Sequence, residues 1–190
     1  MMPWEHVVVG YLGYSMFVHI VYRQSPTAGE TAAVVFASLL PDLIDKPLAW
    51  EFGVFESGYA LGHSVFFAIP LSIVVGVLFR QLGRPKTGLA FGIGYLLHLP
   101  ADVIPIYIQS GRWPIDRLLW PVRSTSGNPP DGFRDGLVTH VGNSLELLVN
   151  LEQSLYMQGV VALMVFALLL WVYDGMPMVR EPLVWLSRQV

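Results

Sequence analysis

Three stretches of this chain, residues 7–22, 64–79 and 157–173, are almost entirely apolar. Such runs have few places to go, because a bilayer-spanning helix takes about 17–25 mostly apolar residues. Residues 88–108 form a fourth run, interrupted by His98 and Asp102, and residues 31–44 a shorter fifth that contains Pro41. The composition agrees. Charged residues make up 13% of the chain and mean hydropathy is +0.54, whereas a soluble domain is about 25% charged. So little charge cannot cover a soluble globule, and it excludes a disordered segment and a nucleic-acid clamp. The 190 residues read as one membrane-embedded domain, 1–190, all-α, a polytopic bundle of about five helices. Nothing basic precedes Arg23, so no signal peptide is predicted.

Lys and Arg in short loops mark the cytoplasmic side. Residues 81–86 hold Arg84 and Lys86, with Arg80 beside them. Arg23 closes the first run, and Arg180 and Arg188 lie in the C-terminal tail. With five crossings, the N-terminus is then outside and the C-terminus inside. Residues 107–155 become an outer cap of helix and loop. The cap carries Arg112, Arg117, Arg123 and Arg134, but also Asp116, Asp131 and Asp135, and long segments follow the charge rule weakly. Trp113 and Trp120, each followed by Pro, predict an interfacial or re-entrant piece. Gly58 with Gly62, and Gly88 with Gly92, have the small-xxx-small spacing of helix packing.

Against this apolar background the ionisable residues stand out, since each is costly in a membrane helix. Glu5 and His6 open the first helix, Asp42 and Asp45 close the second, His63 opens the third, and His98 and Asp102 lie in the fourth. Helices three and four should form a hairpin about Gly83 and Arg84. At 1.5 Å per residue His63 is roughly 30 Å from that turn and Asp102 roughly 28 Å, so they meet at one depth. His98 and Asp102 are i and i+4, and Asp42 and Asp45 are i and i+3, so each pair shares a helix face. An arrangement drawn from basic loops alone thus gathers the acids and histidines at one level.

A lone His in an apolar helix is usually packed and hydrogen-bonded, and His19, without an acid at helical spacing, reads that way. Glu5 is either a solvated near-terminal residue or part of a site. Asp45 beside Lys46 is either an ion pair or part of a site. For His63, His98 and Asp102 a metal is the better reading. Without a cation, neighbouring carboxylates in a dry site repel and are driven neutral, and one or two divalent ions would balance Asp42, Asp45 and Asp102. The chain has no Cys, so any metal sits on His, Asp or Glu. Zinc suits this set best, with manganese or iron as alternatives. There is no His-Glu-x-x-His and no phosphate-binding glycine loop after a strand, and Ser64 lacks a Gly-x-Ser-x-Gly setting. Pro100 predicts a kink that turns Asp102 inward as a direct ligand.

Taken in order, several motifs resemble one family. They are Trp4-Glu5-His6, then Leu40-Pro41-Asp42-Leu43-Ile44-Asp45-Lys46-Pro47-Leu48-Ala49-Trp50, then Gly62-His63-Ser64. Gly94-Tyr95-Leu96-Leu97-His98-Leu99-Pro100-Ala101-Asp102 and Leu118-Leu119-Trp120-Pro121 follow. They look like the LexA-regulated, membrane-bound metal-dependent hydrolases of the YdjM type, and the stretch 45–50 is similar to archaeal members. That family is distantly similar to the zinc-dependent phospholipase C and P1-type nuclease group. The resemblance implies metal ligation by Asp42, His63, His98 and Asp102, with His6 a further ligand. The distant group uses a later His-x3-Glu. Here His140 has Ser144 at that spacing, and Glu146 comes two residues late, so His140 and Glu146 are weaker candidates.

The expected activity is hydrolysis of a phosphoester in a lipid or lipid-linked substrate by a metal-activated water. Asp45 or Glu5 would handle that water. Lys46, Arg112 or Arg117 would neutralise the phosphate, and Trp113 and Trp120 would hold the cap at the headgroup level. The partners are membrane lipid and such a substrate, with no nucleic acid. The rival readings are a non-catalytic protein that binds or conducts a metal ion or protons, and a purely structural membrane protein.

Overall fold

A computed structural model describes residues 2–127, 130, 132–149 and 155–180. The described residues form α1 (Pro3–Tyr22), α2 (Ala28–Trp50), α3 (Val65–Gln81), α4 (Pro85–Ser110), a 3-10 turn (Ile115–Leu118), α5 (Phe133–Val149) and α6 (Leu155–Tyr173), with no strand among them. The all-α expectation agrees with this.

Local chemistry sets the helix ends. Pro3 opens α1, where a missing N–H costs nothing, and the Glu5 side chain accepts the Met2 N–H at 2.9 Å. Thr27 caps α2, and Glu30 reaches back to the Thr27 N–H at 3.1 Å. Gly83 at φ +72 turns α3 into α4, as the hairpin predicted from the basic loop requires. The second helix is longer than its expected 31–44 span. It runs through Pro41 and Pro47 to Trp50. Each proline removes one ladder hydrogen bond, and burial against α4 and the 51–64 loop outweighs that loss. Likewise α4 continues through Pro100 and Pro105.

Helix α4 is the centre, packed by α1, α2 and α3, while α6 lies on α1. Tyr11, Tyr14, Val18, Val34 and Ala90 form one core cluster, and Ala37, Ala68, Phe91, Tyr95 and Leu99 another. Small residues let the backbones approach. A Cβ on Gly88 would lie 2.9 Å from Gly76 Cα across the hairpin, so Gly88 packs against α3, whereas Gly92 has only ordinary contact there. Gly58 and Gly62 are not on a helix, contrary to the helix-packing expectation. They lie in the 51–64 loop, where Gly62 presses on the Pro41 backbone.

Among the described residues two helices, α4 and α6, are both long and apolar enough to cross a bilayer. Helix α3 is apolar but has 17 residues. Five such spans were expected. Helices α1 and α2 have the length, but Glu5, His6 and His19 in one and Glu30, Asp42, Asp45 and Lys46 in the other dilute their apolarity. The outward faces of α3 and α6 are apolar, with Ile73, Val74, Leu168 and Leu169 exposed. Each such side chain left in water forfeits about 1.5–3 kcal/mol, so these faces favour lipid.

Candidate metal centre

The site is assembled at one end of the bundle, from the start of α1, the end of α2, the loop before α3 and the last third of α4. Its scaffold is Asp45, fully buried. Asp45 Oδ2 accepts from the Ala60 N–H at 2.7 Å, the His63 N–H at 3.1 Å and the His63 ring Nδ1 at 2.8 Å. Its Oδ1 accepts from the Gly62 N–H at 2.7 Å. The loop is therefore wound around one carboxylate. Gly62 can sit there because it has no Cβ, which would lie 2.7 Å from the Pro41 carbonyl oxygen.

These bonds fix the histidines. With His63 Nδ1–H given to Asp45, its Nε2 presents a lone pair to the cluster. His98 repeats the device, giving Nδ1–H to the Ser38 carbonyl at 2.7 Å. The two Nε2 atoms then face each other at 3.1 Å. Asp42 Oδ1 is 3.5 Å from His63 Nε2, and Asp102 Oδ2 is 3.3 Å from His63 Nε2 and 3.5 Å from His98 Nε2. Asp42, His63, His98 and Asp102 each offer an atom within 4.8 Å of all the others, and all four are buried. Two bare nitrogens and two carboxylates at such spacing repel unless a cation or protons sit between them. Zinc bonded at about 2.0–2.1 Å in a tetrahedron gives ligand–ligand edges of about 3.3–3.4 Å, and the four spacings straddle that value. The donor set fits a divalent ion, and the anchored Nδ1 atoms are the usual outer support of metal-binding histidines.

In the absence of an ion a proton takes its place. Burial pushes the His63 imidazole down, but hydrogen bonds to Asp102, Asp42 and Asp45 outweigh it and raise its pKa to about 10. The Tyr59 ring meets His63 edge-on at 4.8 Å, and the Arg117 guanidinium lies 4.1 Å over the outer face of Tyr59. His6 is buried, its ring stacked on His98 at 3.7 Å, with Nε2 3.2 Å from Asp102 Oδ1. His6 Nδ1 is buried with no partner among the described residues. Asp102 thus turns one oxygen to the paired histidines and the other to His6.

The family model described as YdjM inner membrane protein matches residues 1–179, a span that includes every residue of this cluster. The chain belongs to the YdjM inner membrane protein family. No curated protein and no solved structure matches it.

Not every expected residue of this YdjM-family protein joins the centre. Asp45 was expected to handle water, but both of its oxygens are occupied in holding the loop and His63. Glu5 closes the first turn of α1 on Met2. Lys46 Nζ is 2.7 Å from Asp42 Oδ2 and 5.7 Å from the Trp50 ring centre, so the ion pair considered with Asp45 is made with Asp42, one helical turn back. Arg117 lies on Tyr59, which in turn meets His63. Arg112 is exposed, and Trp113 stacks on Tyr107 at 4.2 Å. Trp120 packs on Phe55 at 5.6 Å, and its carbonyl accepts from Ser64 Oγ. Glu146 is exposed on α5. His140 falls within α5, and its side chain lies outside the described residues.

Three features carried no sequence signal. Tyr59 and the Ser38 carbonyl have no spacing that ties them to the histidines. The third lies at the far end of α1, where buried Asp174 accepts from Tyr11 and Ser15, each at 2.6 Å, with His19 Nε2 also at 2.6 Å. His19 has an acidic partner after all, one 155 residues away in sequence.

Proposed function

We propose that the chain is a multi-pass membrane hydrolase that cleaves a phosphoester of a lipid or lipid-linked substrate at a metal held by Asp42, His63, His98 and Asp102. The observation that carries this reading is the convergence of two tautomer-locked Nε2 lone pairs with two carboxylates in a buried site. Zinc is the proposed ion, and with room for one ligand beyond these four residues it would supply Lewis acidity and an acidified water. In the net reaction a water oxygen bonds to phosphorus, the ester P–O bond breaks, and the water's proton ends on the departing alkoxide. Lys46 offsets the phosphoryl charge. His6 shares a proton with Asp102 through Nε2, which leaves the unpartnered Nδ1 to accept one. Arg117, held on Tyr59, adds positive charge at the rim. The distant likeness to zinc-dependent phospholipase C is in keeping with such an all-helical His/Asp centre. The basic 80–86 turn supports an extracytoplasmic site, with five helices embedded in the membrane.

Conduction of a metal ion or protons is the second reading, and the Asp174 cluster favours it by putting polar groups at a second depth. Five helical steps, about 7.5 Å, lead from His6 to Tyr11, and the four residues between them are Val7, Val8, Val9 and Gly10. That stretch of α1 is apolar, and the Ser38 hydroxyl beside Gly10 is taken up by the Gly94 carbonyl, which favours the enzyme.

Protein purified without added metal should contain a stoichiometric divalent ion by elemental analysis, and should hydrolyse a chromogenic phosphodiester in a chelator-sensitive manner. A metal-bound protein that is inert on phosphomonoesters and phosphodiesters, but carries ion flux in proteoliposomes, would transfer the assignment to the second reading.

A further inference from the structure

The wall of the metal centre is also the floor of a cavity. Between the start of α1, the end of α2 and the face of α5 lies a partly open space of about 230 Å³, lined in part by the exposed Leu43 and Leu137. Trp4, Leu39, Leu43, Trp50, Leu137 and Val141 line it, and its ionisable lining residues are Asp42 and Lys46. Asp42 separates the two spaces. Its Oδ1 faces His63 Nε2 at 3.5 Å, and its Oδ2 faces Lys46 Nζ at 2.7 Å. The His/Asp cluster, the Lys46 ammonium and an apolar cavity therefore meet at a single carboxylate.

The chamber's lining selects its occupant. A water needs two to four polar partners, and beyond the Asp42–Lys46 pair the lining offers aliphatic and aromatic surface. A protein helix is about 10 Å across and does not fit. An unbranched hydrocarbon does, and at ~30 Å³ per carbon, about the volume of one water, roughly eight carbons fill the space.

We propose that this cavity is the chain subsite of the centre: it takes about the first eight carbons of an alkyl or acyl chain whose phosphoester lies at Lys46. The proposal rests on the phosphoester-hydrolase reading and narrows its substrate to a lipid phosphoester carrying a linear chain next to the phosphate. Burial of a methylene is worth about fourfold in affinity at most, so the gain accumulates with chain length until the cavity is full and then stops. Partition into a bilayer has no such stop.

Calorimetric titration of the full chain in nanodiscs, loaded with zinc, tests this with methyl, butyl, octyl and dodecyl phosphate. Affinity should rise at least tenfold from butyl to octyl and stay level from octyl to dodecyl. Leu137→Trp, which fills the chamber, should collapse the octyl-to-methyl affinity ratio by tenfold or more. Leu137→Ala, which enlarges it, should move the plateau to longer chains and serves if the Trp variant does not fold. An affinity that climbs steadily to dodecyl in wild type and variants alike is partition alone and overturns the subsite. A plateau that responds to Leu137, in a protein that hydrolyses no phosphoester, upholds the subsite and overturns the hydrolase. If methyl phosphate and the longer phosphates all fail to bind, both fall.

Discussion

Asp45→Asn isolates the scaffold from the ligands. The variant keeps the shape of a side chain that accepts four hydrogen bonds from residues 60–63, two at 2.7 Å, one at 2.8 Å and one at 3.1 Å. An amide has one acceptor oxygen. If that oxygen takes the Oδ2 position with its three donors, the amide NH2 is set against the Gly62 N–H. A buried donor is then orphaned, at about 1–3 kcal/mol. The three remaining bonds also lose their charge assistance, roughly 1 kcal/mol apiece on the difference between charged and neutral acceptors. Even after relaxation, a destabilisation of about 3 kcal/mol is expected. His63 Nδ1–H keeps an acceptor but loses the charge on it, and outer-shell changes of this kind cost about 10–100-fold in metal affinity. The assay is competition with a chromogenic chelator to measure zinc affinity, alongside thermal unfolding of the metal-free protein. A variant that binds zinc within twofold of wild type while unfolding at the same temperature would refute the role given to Asp45.

Asp102→Asn should remove bound metal and any phosphoester hydrolysis together, by at least tenfold, or about 1.4 kcal/mol, while circular dichroism stays helical. Gly62→Ala puts a methyl 2.7 Å from the Pro41 carbonyl oxygen, so the loop must retreat. An overpacking loss of about 1–3 kcal/mol and weakened metal retention during dialysis are expected, and retention equal to wild type would count against a tight loop. The His63 pKa is raised from 6.5 to about 10 by its carboxylates. In the metal-free protein its stabilisation is then complete below pH 6.5 and lost as pH climbs through about 10, so the metal-free melting temperature should fall across that window. Metal must displace the same proton, so zinc affinity measured below pH 10 should drop about tenfold per unit of acidification.

Residues at fixed helical spacing were legible in the sequence, and contacts made by loops were not. His98 and Asp102 are one turn apart, and Asp42 and His63 reach their depth by counting from basic turns, so these four could be gathered on paper. The role of Asp45 could not. It depends on a loop whose N–H groups curl around one carboxylate, and nothing in the order of residues 51–64 predicts that curl. The length of α2 was underestimated because Pro41 and Pro47 read as breaks, whereas packing against α4 carries the helix past both. The apolar count found the hydrophobic runs but overstated how many helices pass as spans, since the same polar residues that build the site lower the hydropathy of α1 and α2. Asp174 sits beside Gly175 at the end of an apolar run, where an acid looks like an ordinary boundary residue. Its partners at positions 11, 15 and 19 lie a whole chain away.

That separation has a consequence for how the protein is made. Helix α1 brings His6 to the metal centre at one end and is fastened to Asp174 at the other, across 163 residues from Tyr11. The ribosome delivers the first helix long before its fastening exists. Until residue 174 emerges, Tyr11, Ser15 and His19 lack their carboxylate, and α1 is held by its packing on α2 and α4. The end of α1 remote from His6 is therefore fastened only after residue 174 is made. A chain truncated before residue 174 should reach the membrane yet lack the fastening of α1, so competence of the site depends on a carboxylate far from every ligand in sequence.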